Sequence, residues 1–188
     1  MFIYPKIYRK LRRGPQVILP KDIGMIIAYS GIDKNSVCVD AGTGSGWLAV
    51  SLARLTKQVY SYDIRPDFIA IGEKNREMLA LDNLVFTNGD VFKKINETEV
   101  DLVALDLPSS EKALKNARKA LKPGGTVVGY LPHTEQVKKF ALKCESLGFI
   151  DIHTTETIVR DMMVRKEGVR PSTKGIWHTA YLVFARKP

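Results

Sequence analysis

Cysteine is nearly absent: Cys38 and Cys144 are the only two in 188 residues. The first lies in an apolar run expected to be a strand and the second in an expected helix, which suits reduced thiols. A disulfide framework or a zinc cluster is therefore excluded as the source of stability, and no metal site is expected. Long apolar runs are missing too. No segment approaches the roughly 20 apolar residues of a membrane span, and the opening MFIYPKIYRKLRR has no apolar stretch of signal-peptide length. These absences predict a soluble, cytoplasmic protein with no membrane partner. Internal repeats and low-complexity tracts are also lacking, which argues against solenoids and disordered arrays.

Acidic charge is scarce at both ends. Residues 1–30 carry Lys6, Arg9, Lys10, Arg12, Arg13 and Lys21 against Asp22 alone, and residues 156–188 carry seven basic against three acidic side chains. The stretch between them is balanced, so the termini hold the entire net charge of +9. Interspersed surface charge does not account for an excess confined to two segments; a polyanion such as nucleic acid does. Arg12 and Arg13 in the leader, and Arg165, Lys166 and Arg170 near the other end, are the candidate phosphate contacts.

What is present is a core. A hydrophobic content of 45% over 188 residues predicts one domain spanning 1–188, with a basic leader over 1–19. DIGMIIAYSGI reads as a helix stopped by Gly31, SVCVD (36–40) as a buried strand, and WLAVSLARL as a helix opened by Gly46. Strands follow at 58–63, 84–88, 100–106 and 125–131, alternating with helices at 66–81, 109–121 and 134–148. Two more strands are expected in FIDIHTTETI and HTAYLVFARK, separated by a basic loop over 160–177 in which Met162 and Met163 pack. Such βαβ alternation predicts an α/β, doubly wound and largely parallel sheet, with its ligand at the carboxyl ends of the strands.

The stretch Val39–Leu48, VDAGTGSGWL, is the first candidate site. A nicotinamide loop is written G-x-G-x-x-G and a P-loop needs Gly-Lys-Ser/Thr, whereas here Gly42, Gly44 and Gly46 follow Asp40 as D-A-G-T-G-S-G. Asp63 ends the next strand, where a carboxylate accepts from both ribose hydroxyls of a nucleoside. Asp90 follows the third strand in NGD. Both aspartates have a plainer alternative as caps of turns. The loop and the two strand-end carboxylates together resemble those of class I S-adenosylmethionine methyltransferases. The resemblance implies a Rossmann-like fold with a mostly parallel seven-stranded sheet, helices on both faces and the last strand antiparallel. It implies S-adenosylmethionine as cofactor, held by Asp40, Gly42, Thr43, Gly44, Ser45, Gly46, Asp63 and Asp90, with Asp40 toward the cationic amino-acid end and Asp90 near the adenine.

Four further blocks, RRGPQVILPKDIG (12–24), LDLPS (105–109), GGTVVGYLPHTEQV (124–137) and RP…HTAYLVFARK (170–187), are similar to the tRNA (adenine-N1)-methyltransferase family, which methylates a T-loop adenine. By that resemblance Asp106 is the catalytic aspartate beside the cofactor methyl group, Tyr130 an aromatic of the adenine pocket, and Gln16 a residue near the cofactor. The partner is tRNA and the assembly a homotetramer. The chain departs from the family pattern at Leu19, where Tyr is usual, at Ser110 and Glu111, where Pro-Trp is usual, and at Trp177, where Gly is usual. The family also carries a separate N-terminal domain before the RGPQ block, where this sequence has about a dozen residues.

From the residues alone, Asp106 either offsets charge on a methylated adenine or caps the helix expected near Ser109, and Tyr130 either stacks on a flipped base or packs at a strand end. DLPS is also partly similar to the (D/N)PPY motif of amino-methylating enzymes, which leaves N6 chemistry as an alternative to N1. Trp47 and Trp177 are expected to pack, and His178 has no visible partner. Two other functions stay open: a small-molecule methyltransferase of the corrinoid-pathway type, and an RNA-binding partner subunit of a methyltransferase complex.

Overall fold

The computed structural model describes residues 5–14 and 16–188; leader residues 1–4 and Pro15 lie outside them. Lys6–Lys10 forms a short helix, α1, which the sequence pattern had not suggested. Helix α2, Pro20–Ser30, starts with Pro at its first position, where the missing N–H is no loss, and stops at Gly31 in the left-handed region (φ 66°). Then come β1 (Val37–Ala41), α3 (Trp47–Ala53), β2 (Gln58–Asp63), α4 (Pro66–Met78), β3 (Leu84–Asn88) and β4 (Val100–Leu105). A 3₁₀ turn at Ser110–Lys112 precedes α5 (Leu114–Ala120), so the helix expected over 109–121 is in two pieces. The remainder is β5 (Leu121–Leu131), α6 (Thr134–Ser146), β6 (Ile150–Glu156), β7 (Met162–Arg165), β8 (Gly168–Pro171) and β9 (Tyr181–Arg186).

Seven strands form one sheet in the order β3-β2-β1-β4-β5-β9-β6. Only β9 runs against its neighbours β5 and β6; the other pairings are parallel. Strand alternation sends Val39, Val103, Val127 and Val183 to one face, where α5 and α6 cover them with Leu114, Ala117, Phe140 and Cys144. Cys38, Leu102, Val128 and Leu182 go to the other, under Ile23 and Ile26 of α2 and the buried side of α3. Both cysteines are buried and free. Among the described residues no helix is long and apolar enough to cross a membrane.

The basic loop expected over 160–177 is a correction. It contains the antiparallel hairpin β7–β8, pairing Met163 with Arg170 and Val164 with Val169. MMVR is a short apolar run closed by a charge, too short to separate a strand from a loop.

Candidate active site

At the end of β1 the chain turns through Gly42 (φ 96°), Gly44 (φ 51°) and Gly46 (φ 73°) into α3. The Gly42 and Thr43 amides both donate to the Tyr62 carbonyl of β2, at 2.9 and 3.1 Å. The glycines at 42 and 44 answer different needs. A Cβ on Gly42 would stand 2.1 Å from the Asp106 carbonyl oxygen, so the ends of β1 and β4 can lie this close only with glycine there. A Cβ on Gly44 would meet nothing nearer than the Gln16 and Gly42 carbonyl oxygens, both at 3.9 Å. Gly44 therefore borders open space, with the Gln16 backbone on its rim.

Four sequence-predicted aspartates lie at the ends of β1 to β4, in different states. Asp40 is 1% exposed. Its Oδ2 accepts from Ser61 Oγ at 2.7 Å, and Ser61 lies 2.7 Å from Thr43 Oγ1, so the Asp40 carboxyl is committed beneath the loop. Burial pushes that carboxyl up to about 7, with the charges of Asp106 and Asp63 adding to the effect. Asp63 accepts from the Arg65 amide (2.9 Å) and the Gly44 amide (3.2 Å), which ties the end of β2 to the glycine loop. Asp90 accepts from the Phe92 amide at 2.9 Å. The turn-capping alternative thus describes part of what Asp63 and Asp90 do, although a carboxylate retains further acceptor capacity.

Asp106 differs. It is half-buried just past β4, and among the described residues no group donates to its carboxylate. It does not cap a helix: the 3₁₀ turn begins beyond Ser109 without a side-chain cap. Burial and the Asp63 charge push its carboxyl up to about 7. An acceptor-only group in this position is suited to a cation or to an N–H donor.

A clamp missed by the sequence reading holds the leader over this loop. Asn75 of α4, fully buried, accepts from the Arg12 amide (2.8 Å) and donates to the Arg12 carbonyl (3.0 Å) and the Ser45 carbonyl (2.8 Å). The Gly14 amide donates to Ser45 Oγ at 2.5 Å. Tyr8 reaches Ser51 Oγ at 2.7 Å and packs on Trp47, with ring centroids 5.0 Å apart. An isolated asparagine in a helical run carries no local sign of such a role.

On the other side of Asp106 the rim is made by the ends of β5 and β6 and the start of β9. Tyr130 is half-buried there. Burial raises its phenol, with contributions from the Asp22 and Asp106 charges. His178, read from sequence as partnerless, bridges this rim: Nδ1 is 2.6 Å from Glu156 Oε1 and Nε2 is 2.9 Å from the Pro132 carbonyl. Both partners are acceptors, so the geometry favours the imidazolium, and the Glu156 and Pro132 hydrogen bonds raise its pKa. The partners are 22 and 46 residues away.

The candidate phosphate contacts Arg12, Arg13, Arg165, Lys166 and Arg170 are all exposed, and none forms an ion pair among the described residues. Arg13 and the buried Trp47 ring are 6.0 Å apart. Trp177, expected to pack, is 46% exposed, with the Arg160 guanidinium 5.4 Å from its ring centroid.

With this geometry in view, residues 8–174 match the family described as tRNA methyltransferase complex GCD14 subunit. The chain belongs to this family. A relative, tRNA (adenine(57)-N(1)/adenine(58)-N(1))-methyltransferase TrmI of Methanocaldococcus jannaschii, is 41% identical across 97% of this chain and 75% of its own length. Among solved structures, tRNA (m1A58) methyltransferase TrmI from Aquifex aeolicus superposes with a TM-score of 0.89 at 30% identity, over 97% of this chain and 74% of that one. A Thermotoga maritima protein titled SAM-dependent O-methyltransferase gives 0.91 at 29% identity, over 97% and 71%. The GCD14-family chain therefore has the class I methyltransferase fold. The Thermotoga protein is named for an oxygen acceptor and the Aquifex protein for adenine N1, so the shared fold by itself does not set the acceptor.

Proposed function

We propose that this protein transfers a methyl group from S-adenosylmethionine to N1 of an adenine in tRNA. The observation that carries the reading is Asp106: a half-buried carboxylate that accepts from no donor among the described residues, beside a glycine loop that opens at Gly44. S-Adenosylmethionine supplies an electrophilic methyl group on a cationic sulfonium. The residues present fit it. Gly44 leaves room for close approach, Asp63 retains acceptor capacity for ribose hydroxyls, and Asp40, Asp63 and Asp106 place negative charge around the loop. Gln16, Thr43, Ser45, Gly46 and Asp90 complete the binding surface in this reading.

Adenine N1 carries its own lone pair, so the acceptor needs placement more than a strong base. Asp106 accepts from the exocyclic amino group, orients N1, and offsets the positive charge that appears on the ring as the methyl group arrives. Tyr130 lines the pocket. Arg12, Arg13, Arg165, Lys166 and Arg170 hold tRNA phosphates. A corrinoid-type acceptor would give no role to the basic ends, and a noncatalytic subunit would need neither the open glycine loop nor Asp106. The same reading makes the protein cytoplasmic and, by family resemblance, homotetrameric.

Asp106→Ala tests the mechanism. It is expected to keep its affinity for tRNA and to lose no more than about tenfold in affinity for S-adenosylmethionine, while turnover falls by about 10²–10³. Nucleosides from labelled tRNA, digested cold and mildly acidic so that the product does not rearrange, should contain 1-methyladenosine. Full activity in the variant, or N6-methyladenosine as sole product, contradicts the mechanism.

A further inference from the structure

We propose that Gln136 is a positioning residue for the methyl transfer: its side-chain amide ties the loop after Asp106 to the loop after Tyr130, and so sets the width of the acceptor opening between the ends of β4 and β5. The inference rests on the adenine reading of the Asp106–Tyr130 site.

The β4–β5 ladder stops at the pair Leu105 with Gly129. Asp106 and Tyr130 are the next residues of the two chains, so both stand where main-chain pairing between β4 and β5 has ended. Each is still held from its outer side. The Asp106 amide donates to the Ala41 carbonyl of β1 at 2.8 Å, and Tyr130 and Leu131 continue to pair with Leu182 and Tyr181 of β9. Among the described residues no β4–β5 pair follows Gly129, so the ladder does not fix the separation across the opening.

Gln136, at the third position of α6, crosses it. Its Nε2 donates to the Pro108 carbonyl at 3.0 Å, and its Oε1 accepts from the His133 amide at 3.1 Å. The partners fix the orientation of this amide, since a carbonyl only accepts and a backbone N–H only donates. Pro108 and Pro132 lie two residues past Asp106 and Tyr130 respectively. The peptide unit joining Pro132 and His133 is held at both polar groups, its N–H by Gln136 and its carbonyl by His178 Nε2 at 2.9 Å. His178 in turn meets Glu156 of β6, which anchors that side of the bridge. On the other side the path from Pro108 back to Asp106 is short and stiff. The Leu107 amide donates to Ser110 Oγ at 3.3 Å, that hydroxyl donates to the Leu107 carbonyl at 2.9 Å, and proline fixes φ at 108. A displacement of Pro108 is therefore passed on to Asp106. Methyl transfer depends on placement, with N1 in line with the methyl group while Asp106 holds the exocyclic amino group. Gln136 acts on it through Asp106.

A plainer role, capping α6, makes the opposite prediction for one substitution. Gln136→Glu keeps the shape and the oxygen that accepts from His133, and a carboxylate in the first turn suits a helix N-terminus. It removes the donor to Pro108 and sets two acceptors against each other. A cap would tolerate the change; a bridge would not. Gln136→Met removes both bonds at similar length. Single-turnover methylation of a tRNA transcript, at saturating tRNA and S-adenosylmethionine, is compared for wild type, Gln136→Glu, Gln136→Met, Asp106→Ala and the double variant Asp106→Ala with Gln136→Glu. Cofactor affinity is measured alongside by calorimetry. Both Gln136 variants are expected to transfer about tenfold more slowly, with cofactor affinity within about twofold of wild type, and Gln136→Glu to slow the Asp106→Ala protein by less than about twofold. A wild-type rate in Gln136→Glu, or an equal slowing with and without Asp106, overturns the proposal. Wild-type protein that transfers nothing to tRNA adenine removes the underlying reading and the positioning role with it, whereas an active wild type indifferent to Gln136 defeats this inference alone.

Discussion

At the β1–β2 end of the sheet the site is made largely of main chain. Gly42 and Thr43 amides meet the Tyr62 carbonyl, Gly44 donates to Asp63, and the Asp106 amide donates to the Ala41 carbonyl at 2.8 Å. At the β5–β9–β6 end the site is tied by side chains distant in sequence: Lys21 to Thr157 over 136 residues, Thr179 to Asp22 over 157. The first end is shaped by steric limits on short residues, the second by the polarity and charge of long ones. They should therefore fail differently, the glycine end by losing its geometry and the acceptor rim by losing orientation within an intact fold.

The largest effect is expected at Gly42. An Ala there places Cβ against the Asp106 carbonyl at a φ of 96°, which L side chains rarely adopt, so the ends of β1 and β4 must separate. Gly42→Ala should lose more than about 3 kcal/mol in urea unfolding. A loss below about 1 kcal/mol would show that this end is as adaptable as the rim.

Asn75→Ala should cost about 1–3 kcal/mol, because it deprives the buried backbone groups of Arg12 and Ser45 of their partners. It should also release the leader, read as faster hydrogen exchange at the Arg12 and Gly14 amides. Unchanged exchange would mean that the Tyr8 contacts and the Gly14–Ser45 bond hold the leader without Asn75.

A pH dependence separates the two ends. Burial raises Asp40 and Asp106 from 3.8 to about 7, so the folded protein binds extra protons across that interval and its stability falls as pH rises through it. His178, also raised, contributes fully below its unfolded value and loses that contribution as pH rises through its folded value. It is exposed and screened, so its share should be slight. Asp40→Asn should flatten the stability profile between pH 4 and 7, whereas His178→Gln should barely alter it. Affinity for cationic S-adenosylmethionine should move the opposite way, weakening by up to about tenfold per pH unit below 7, with a smaller change for the neutral thioether product. A parallel loss for both ligands would remove the charge argument from the glycine end.

The glycine loop was legible because its requirements are local. Glycines at fixed offsets after an apolar run, with aspartates at successive strand ends, carry their constraints within a few residues. The regular elements followed for the same reason: Gly31 stops α2, and Pro66 begins α4. Where local signals conflict, the reading failed. The segment 160–177 is rich in charge, and the charge concealed a hairpin. His178 showed no partner because Glu156 and Pro132 come to it only when β9 enters between β5 and β6.

Sequence by itself determined the strand–helix alternation, the glycine turn, the strand-end carboxylates and the excess of positive charge at both ends, since each follows from residue size, periodicity or composition along a short stretch. Tertiary structure alone decided the rest: that Asp40 is locked below the loop while Asp106 has no donor among the described residues, that Asn75 holds the leader, and that Lys21, Asp22 and Thr179 meet. Hydrogen-bond polarity and the burial of charge depend on which groups share a space, and in this chain those groups are separated by up to 158 residues.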